Sequence, residues 1–329
     1  MKSVLAAITT HKRPPEMVER AIKSVVAQTY TDWELVVVDD SPADYEFRDD
    51  VRKMVEGWGE RDSRIRYVPH DRNYGANHAR NTALEIACNS RVGGGGYEFI
   101  AYLDDDDEWL PEKLEKQIAK FNERDEKTAL VYCYHYVIDC EMNIINIPKR
   151  IKLEGYVYSE LMKRGNFIGS TSFPLMRTKC LVDIGGFDEN MQSWQDWEMY
   201  LRLVKRYEIA CVDEPLVKYY SNHGEHIFGN PARDLMTAKR IMNINKEYLE
   251  TDKHACWIWY KILCVHYAKC KEYLESFKTW FKMVSLQPLR ICSNIKILLN
   301  VMVKQRIKNM LMNHNPKIIL RTEKHKTKT

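Results

Sequence analysis

The chain has 329 residues, 45% hydrophobic and 29% charged, with 50 Lys and Arg against 46 Asp and Glu for a net charge of +4. These are the proportions of an ordinary soluble globular protein, long enough for one large domain with an appendage or for two modest domains. Its nine cysteines are scattered, odd in number and without a Cys-x-x-Cys pair, which excludes a zinc-ribbon or disulfide framework and points to a reducing compartment.

Residues 3–8 read as a first strand, and Pro14-Pro15 then opens a helix with Met17, Ala21, Ile22, Val25 and Val26 at helical spacing. Residues 32–38 form a second strand ending in Asp39-Asp40-Ser41-Pro42, followed by a helix over 46–58 and a short third strand over 65–68. A turn at Asn73-Tyr74-Gly75 leads into a helix over 76–88. Gly93-Gly94-Gly95-Gly96 is a flexible connector, not a phosphate loop, because it precedes a strand and lacks the Gly-Lys-Ser/Thr ending. Phe99 to Leu103 is a buried strand, and Asp104-Asp105-Asp106-Asp107 follow it directly. The alternation of strands and helices over the first 110 residues predicts an α/β fold with a mostly parallel sheet flanked by helices. Beyond it come a helix over 111–124, a strand over 129–138, helices over 155–164 and 194–207, and a glycine stop at Gly185-Gly186. From residue 234 the pattern is entirely helical, so the expected domains are 1–233 and 234–329, with about the last ten residues disordered.

Adjacent like charges repel, so four aspartates in a row need compensation. At the C-terminal end of a strand in an open α/β sheet they lie where ligands bind. All-oxygen donors suit Mg²⁺ or Mn²⁺, ions that bring substrate phosphates with them; a solvated loop capping the next helix is the plain alternative. The plain alternatives are strand-end turn chemistry for Asp39-Asp40, a solvated helix charge for Arg80, and an acid favoured by a helix N-terminus for Asp196.

Five segments in order carry a resemblance. They are Ile8-Thr9-Thr10-His11-Lys12-Arg13-Pro14; residues 21–35, beginning Ala21-Ile22-Lys23-Ser24-Val25; Asn73-Tyr74-Gly75-Ala76-Asn77-His78-Ala79-Arg80-Asn81; residues 102–114 around the aspartate run; and Ile184-Gly185-Gly186-Phe187-Asp188 followed by Gln195-Asp196. Together they resemble the family 2 glycosyltransferases of the nucleotide-sugar-binding GT-A fold, over roughly residues 1–225. The resemblance implies a metal-dependent, inverting transfer from a UDP-sugar to a hydroxyl of a glycan or lipid-linked glycan, in surface polysaccharide synthesis. It implies that Thr9, Arg13, Asp39, Arg80 and Asp104 line the nucleotide site. Asp104 and Asp106 would form the Asp-x-Asp pair, with Asp106 the direct ligand of Mn²⁺ or Mg²⁺ and His223 a further candidate. Asp196 would be the general base, with Trp194 and Gln195 on the acceptor side. Gln195 departs from the family pattern, which often has Glu there.

Two other classes compete. A nucleotidyltransferase that makes sugar nucleotides expects a glycine-rich loop after the first strand, and residues 9–15 contain no glycine. A non-catalytic carbohydrate-binding protein with a degenerate site would not need Asp39, Asp106 and Asp196 together. From residue 251 onward, 16 Lys and Arg stand against four Asp and Glu, interleaved with Trp257, Trp259, Tyr260, Tyr267, Trp280 and Phe281. That pattern fits an amphipathic surface on an anionic bilayer or a helical cap, and not nucleic-acid binding. The first apolar run is too short for a secretory signal and no run reaches the length of a membrane span, so the expected location is cytoplasmic, at or near the inner face of the membrane.

Overall fold

The structure is a computed structural model that describes residues 3–89, 95–139, 141–148, 151–220 and 230–288. His223, Gly93-Gly94 and the apolar series from Ile295 to Leu311 lie outside the described residues. The chain divides into two units, Met1–Ile227 and Phe228–Thr329.

In the first unit the order is β1 (Val4–Thr10), α1 (Pro15–Val26), β2 (Trp33–Asp39), α2 (Arg48–Arg61), β3 (Ile65–Pro69), α3 (Ala76–Asn89) and β4 (Phe99–Asp104). There follow β5 (Glu108–Trp109), α4 (Lys113–Asn122), β6 (Thr128–Ile138), β7 (Ile144–Asn146), α5 (Tyr158–Arg164), β8 (Leu175–Arg177), α6 (Thr178–Asp183), α7 (Gln195–Val204) and β9 (Glu208–Tyr220). Among the described residues the strands form one sheet in the order β3-β2-β1-β4-β8-β6-β9-β5, with β7 on β6.

The central strands are apolar on both faces, as parallel strands covered on both sides must be. Val4, Ala6 and Ile8 of β1, Leu35 and Val37 of β2, and Phe99, Ala101 and Leu103 of β4 share a core with Val18, Ile22 and Val25 of α1, Val51 and Val55 of α2, and Ile118 and Phe121 of α4. The alternate positions, including Leu5, Ala7, Val36, Ile100 and Tyr102, are equally buried. On that side the Tyr102 hydroxyl donates to the Arg80 carbonyl of α3 at 3.0 Å.

The sheet is mixed. Strands β3, β2, β1 and β4 are parallel, β8 enters antiparallel to both β4 and β6, and β9 runs parallel to β6. Two of these strands have weak sequence signals for physical reasons. β8 is only three residues long. β9 is interrupted by Asp213-Glu214-Pro215, where the register jumps from Cys133↔Val212 to Tyr134↔Pro215. A proline in a strand is tolerated at such a bulge because it has no N–H to donate to the ladder.

Gly96, expected as connector, is a close-packed position: a Cβ there would lie 2.6 Å from the Cys88 carbonyl oxygen and 2.9 Å from that of Ala87. Tyr97 N donates to Ala87 O at 2.7 Å, so the end of α3 is pinned against the start of β4.

The second unit is helical over its described part: α8 (Pro231–Ile244), α9 (Lys246–Thr251), α10 (Lys253–Lys269) and α11 (Tyr273–Leu286). Asn230 caps α8 by accepting from Ala232 N and Arg233 N, and Asp252 caps α10 by accepting from His254 N and Ala255 N. Among the described residues no helix is long and apolar enough to cross a membrane.

Gly96→Ala is expected to lower stability by about 1–3 kcal/mol, because the clash is with backbone that cannot swing away. Gly57→Ala, inside α2 with nothing within 4 Å of the added methyl, is expected to raise it by about 0.5–1 kcal/mol. Denaturant unfolding of the two variants checks both signs.

Candidate active site

Parallel register brings three strand ends into one line. Thr10 of β1 pairs with Asp39 of β2, and Thr9 pairs with Asp104 of β4. Neighbouring strands lie about 4.8 Å apart, so the two carboxylates flank β1, and the loop leaving β1 carries Arg13. The strand order reverses at this point, which is where open α/β sheets form a crevice.

Asp39 and Asp40 play different parts. Asp39 is completely buried; its Oδ1 accepts from Ser41 N at 2.9 Å and its Oδ2 from the Tyr67 hydroxyl at 2.7 Å. Asp40 accepts from Tyr74 N at 2.8 Å and Gly75 N at 2.7 Å, and its Oδ1 meets His70 Nδ1 at 2.7 Å. The other nitrogen of His70 meets the Thr82 hydroxyl at 3.0 Å. Asp40 therefore clamps the turn that launches α3, the helix bearing Arg80.

The four aspartates separate into four environments. Asp104 accepts from Arg80 Nη2 at 3.1 Å, Ser170 Oγ at 2.7 Å and Thr171 Oγ1 at 3.2 Å. Asp105 accepts from Arg13 Nε at 3.1 Å; burial pushes its carboxyl up to about 7, opposed by the Arg13 charge. Asp106 accepts from Arg13 Nη2 at 3.2 Å and keeps 17% of its side chain exposed. Asp107 is fully buried; Tyr220 N lies 3.4 Å from its Oδ1, and the Ser172 hydroxyl also acts on it. Burial, then the charges of Asp104 and Asp106, push its carboxyl well above the usual range.

Asp196 approaches from α7. Its Oδ1 accepts from Trp197 N at 2.7 Å and its Oδ2 from Asn166 Nδ2 at 3.0 Å. The side chain keeps some solvent exposure but protein encloses most of it. That burial pushes the carboxyl up to about 6, with the Trp197 N–H and Arg80 opposing and Asp104 adding to the rise. Arg80 spans the cleft, donating through Nη2 to Asp104 and through Nη1 to Gln195 Oε1 at 3.2 Å. Its Nε is buried without a hydrogen-bond partner. Tyr219 of β9 faces the centre: burial raises its hydroxyl to about 12, and the charges of Asp107, Asp104, Asp106 and Asp196 all act on it.

Asp104, Asp106, Arg80, Gln195 and Asp196 thus share one cleft, with Arg13 at its edge through Asp105 and Asp106. Asp39 sits two strands away beneath its own hydrogen bonds, and the partly buried Thr9 lies on β1 between them. Trp194 takes a left-handed backbone, φ 50°, at the start of α7. Its ring lies 5.4 Å from that of the buried Trp197. Asn166, Ser170, Thr171 and Tyr219 carry no motif that singles them out; a polar Gly-containing stretch reads only as a loop.

Among the described residues no three His, Cys, Asp or Glu side chains converge as a metal cage. The partly exposed Asp106, with Asp104 behind it, nevertheless fits Mg²⁺ or Mn²⁺, which take most of their ligands from phosphate and water.

Residues 6–184 match the model of Glycosyl transferase family 2. The putative colanic acid biosynthesis glycosyl transferase WcaA of Escherichia coli is 33% identical over 211 residues, 63% of this chain and 68% of that protein. The E. coli enzyme UDP-Glc:alpha-D-GlcNAc-diphosphoundecaprenol beta-1,3-glucosyltransferase WfgD is 30% identical over 196 residues, 60% of this chain and 68% of that one. Among solved structures, S. aureus TarS 1-349 in complex with UDP-GlcNAc superposes with a TM-score of 0.58 at 19% identity, covering 83% of this chain and 72% of that chain.

Asp40→Ala leaves two backbone N–H groups and His70 without their acceptor. The expected loss is about 2–3 kcal/mol of stability, with a smaller loss for Asp40→Asn, both read from denaturant unfolding.

Proposed function

Because the chain belongs to glycosyl transferase family 2, we propose that it transfers a sugar, with inversion, from a UDP-sugar to a hydroxyl of a glycan acceptor in surface polysaccharide synthesis, assisted by Mn²⁺ or Mg²⁺. The observation that carries this reading is the meeting of Asp104, Asp106, Arg80 and Asp196 at the C-terminal ends of the strands, with burial raising the Asp196 carboxyl to about 6. The names of WfgD, a UDP-glucose-dependent enzyme, and of WcaA, together with the UDP-GlcNAc complex of TarS, support the choice of donor and pathway class.

In this reading Arg80 and Arg13 turn from carboxylates to the diphosphate when the donor arrives, and Thr9 lines the nucleotide. Asp39 fixes the far wall: the uracil N3–H reaches its carboxylate when the Tyr67 hydroxyl yields. Asp106, with Asp104 behind it and His223 a further candidate, would hold the divalent cation, which neutralises charge on the departing diphosphate. The acceptor hydroxyl sits between Trp194 and Asp196. Asp196 takes its proton as the oxygen bonds to the anomeric carbon from the side opposite the diphosphate. One displacement suffices, so no Ser or Cys nucleophile is needed. A degenerate binding site would not require a carboxylate set this complete.

The basic helical unit supports contact with an anionic bilayer. Tyr273, Leu274, Phe277 and Phe281 of α11 are exposed at 46%, 67%, 46% and 54%, beside Lys278 and Lys282. That combination of apolar rings and cations suits a membrane interface.

Asp196→Asn is expected to lower the turnover rate by about 10²–10⁴-fold while UDP-sugar still raises the melting temperature. A base must be deprotonated, so wild-type transfer is present above pH 6 and lost as pH falls through it. Full activity in Asp196→Asn refutes the base. Mn²⁺ with UDP is expected to stabilise the wild type by mass action and to do so far less in Asp106→Ala, read by thermal shift. Sedimentation with phosphatidylglycerol vesicles, absent with phosphatidylcholine alone and reduced in Phe277→Ser/Phe281→Ser, checks the membrane contact.

A further inference from the structure

One loop reaches both ends of the cleft. Asn166 follows the short helix α5, and both ends of its amide are engaged: Oδ1 accepts from Gly169 N at 3.0 Å, while Nδ2 donates to Gly169 O at 3.1 Å and to Asp196 Oδ2 at 3.0 Å. The amide orientation is fixed by chemistry, since Gly169 N can only donate and so must face the oxygen. Gly169 allows the turn. It has φ 95°, and a Cβ there would lie 2.4 Å from the Phe173 ring.

The far end of the loop is held to Asp104. Ser170 Oγ and Thr171 Oγ1 donate to its two carboxylate oxygens, and its own N–H donates to Ser172 Oγ at 3.0 Å. The loop backbone is anchored from three elements. Trp109 Nε1 donates to Ser172 O at 2.9 Å, Gln117 Nε2 to Phe173 O at 2.8 Å, and the Tyr200 hydroxyl to Ser170 O at 3.3 Å. Thr171, Ser172 and Phe173 are buried.

We propose that Asn166 is a positioning residue for transfer: its amide aims the Asp196 carboxylate at the acceptor hydroxyl, and the loop 166–172 keys that aim to the donor-side Asp104. This rests on the assignment of Asp196 as the base. With Oδ1 held by Trp197 N and Oδ2 by Asn166, the carboxylate plane cannot rotate, and each oxygen keeps a lone pair for the incoming proton. An N–H that donates to the ionised carboxylate favours that form and opposes the burial that disfavours it. The other groups facing Asp196 are Arg80 from α3, Asp104 from β4, Tyr200 from α7 and Tyr219 from β9. Asn166 itself does not titrate, so a change made there reaches the pH profile through Asp196.

The test is the pH dependence of transfer in Asn166→Ala and Asn166→Asp. In Asn166→Ala the acid limb is expected to move up by about half to one unit, and further in Asn166→Asp, where a like charge replaces the donor. The maximal rate should fall about tenfold with the donor KM unchanged. UDP-dependent thermal stabilisation reports that each variant is folded, and either folded variant suffices. An acid limb that stays in place, or a raised donor KM as the sole effect, overturns the proposal. Asp196→Asn separates the two levels. If it stays active, the base assignment fails. If it is inactive and the Asn166 variants keep the wild-type limb, only the positioning role fails.

Discussion

Four carboxylates in a row at the end of a buried strand repel one another, and most of what surrounds them answers that repulsion. Arg80 neutralises Asp104 from one side, and Arg13 spans Asp105 and Asp106 from the other. Asp107 is buried beside the charges of Asp104 and Asp106, which favours its protonated form. Hydroxyls of Ser170 and Thr171 also donate to Asp104. Compensation by flexible arginines is provisional: a guanidinium that now pairs with a carboxylate can pair instead with a diphosphate.

The same cleft sets two kinds of carboxylate side by side. Asp104 accepts from an arginine and two hydroxyls, whereas the hydrogen bonds to Asp196 come from neutral donors and burial raises its carboxyl to about 6. The first is held in place by its partners, and the second is suited to taking up a proton near neutral pH. Arg80 links them by touching Asp104 and, through Gln195, the first turn of the helix that carries Asp196. Gln195, which departs from the commoner Glu, serves here as a neutral acceptor for that guanidinium.

Much of the first unit was legible from periodicity. The apolar runs at β1, β2 and β4, the helical spacing of Val18, Ile22 and Val25, and the proline that opens α1 are local signals, and local hydrogen bonding honours them. Legibility failed at β8 and β9. Three residues carry no period, and Asp213-Glu214-Pro215 breaks the alternation of a strand whose pairing with β6 exists only because the sheet absorbs a bulge. Gly96 illustrates the converse. A glycine run reads as slack, yet this glycine is required by the carbonyls of α3 pressing on it.

The sequence by itself determined the alternating α/β plan, the family and the chemical types that gather at the strand ends, because those depend on residue identity at short range. It could not decide what each aspartate does. Asp39 and Asp40 are adjacent, yet one is capped by Tyr67 and the other clamps the turn before Arg80. Asp104 to Asp107 are adjacent, yet their partners come from positions as distant as Arg13 and Tyr220. A carboxylate's proton affinity and reach are fixed by the charges, donors and water around it. The fold brings those together from across the chain, so only the tertiary structure separates the carboxylate paired with Arg80, the buried carboxyl of Asp107 and the raised carboxyl of Asp196.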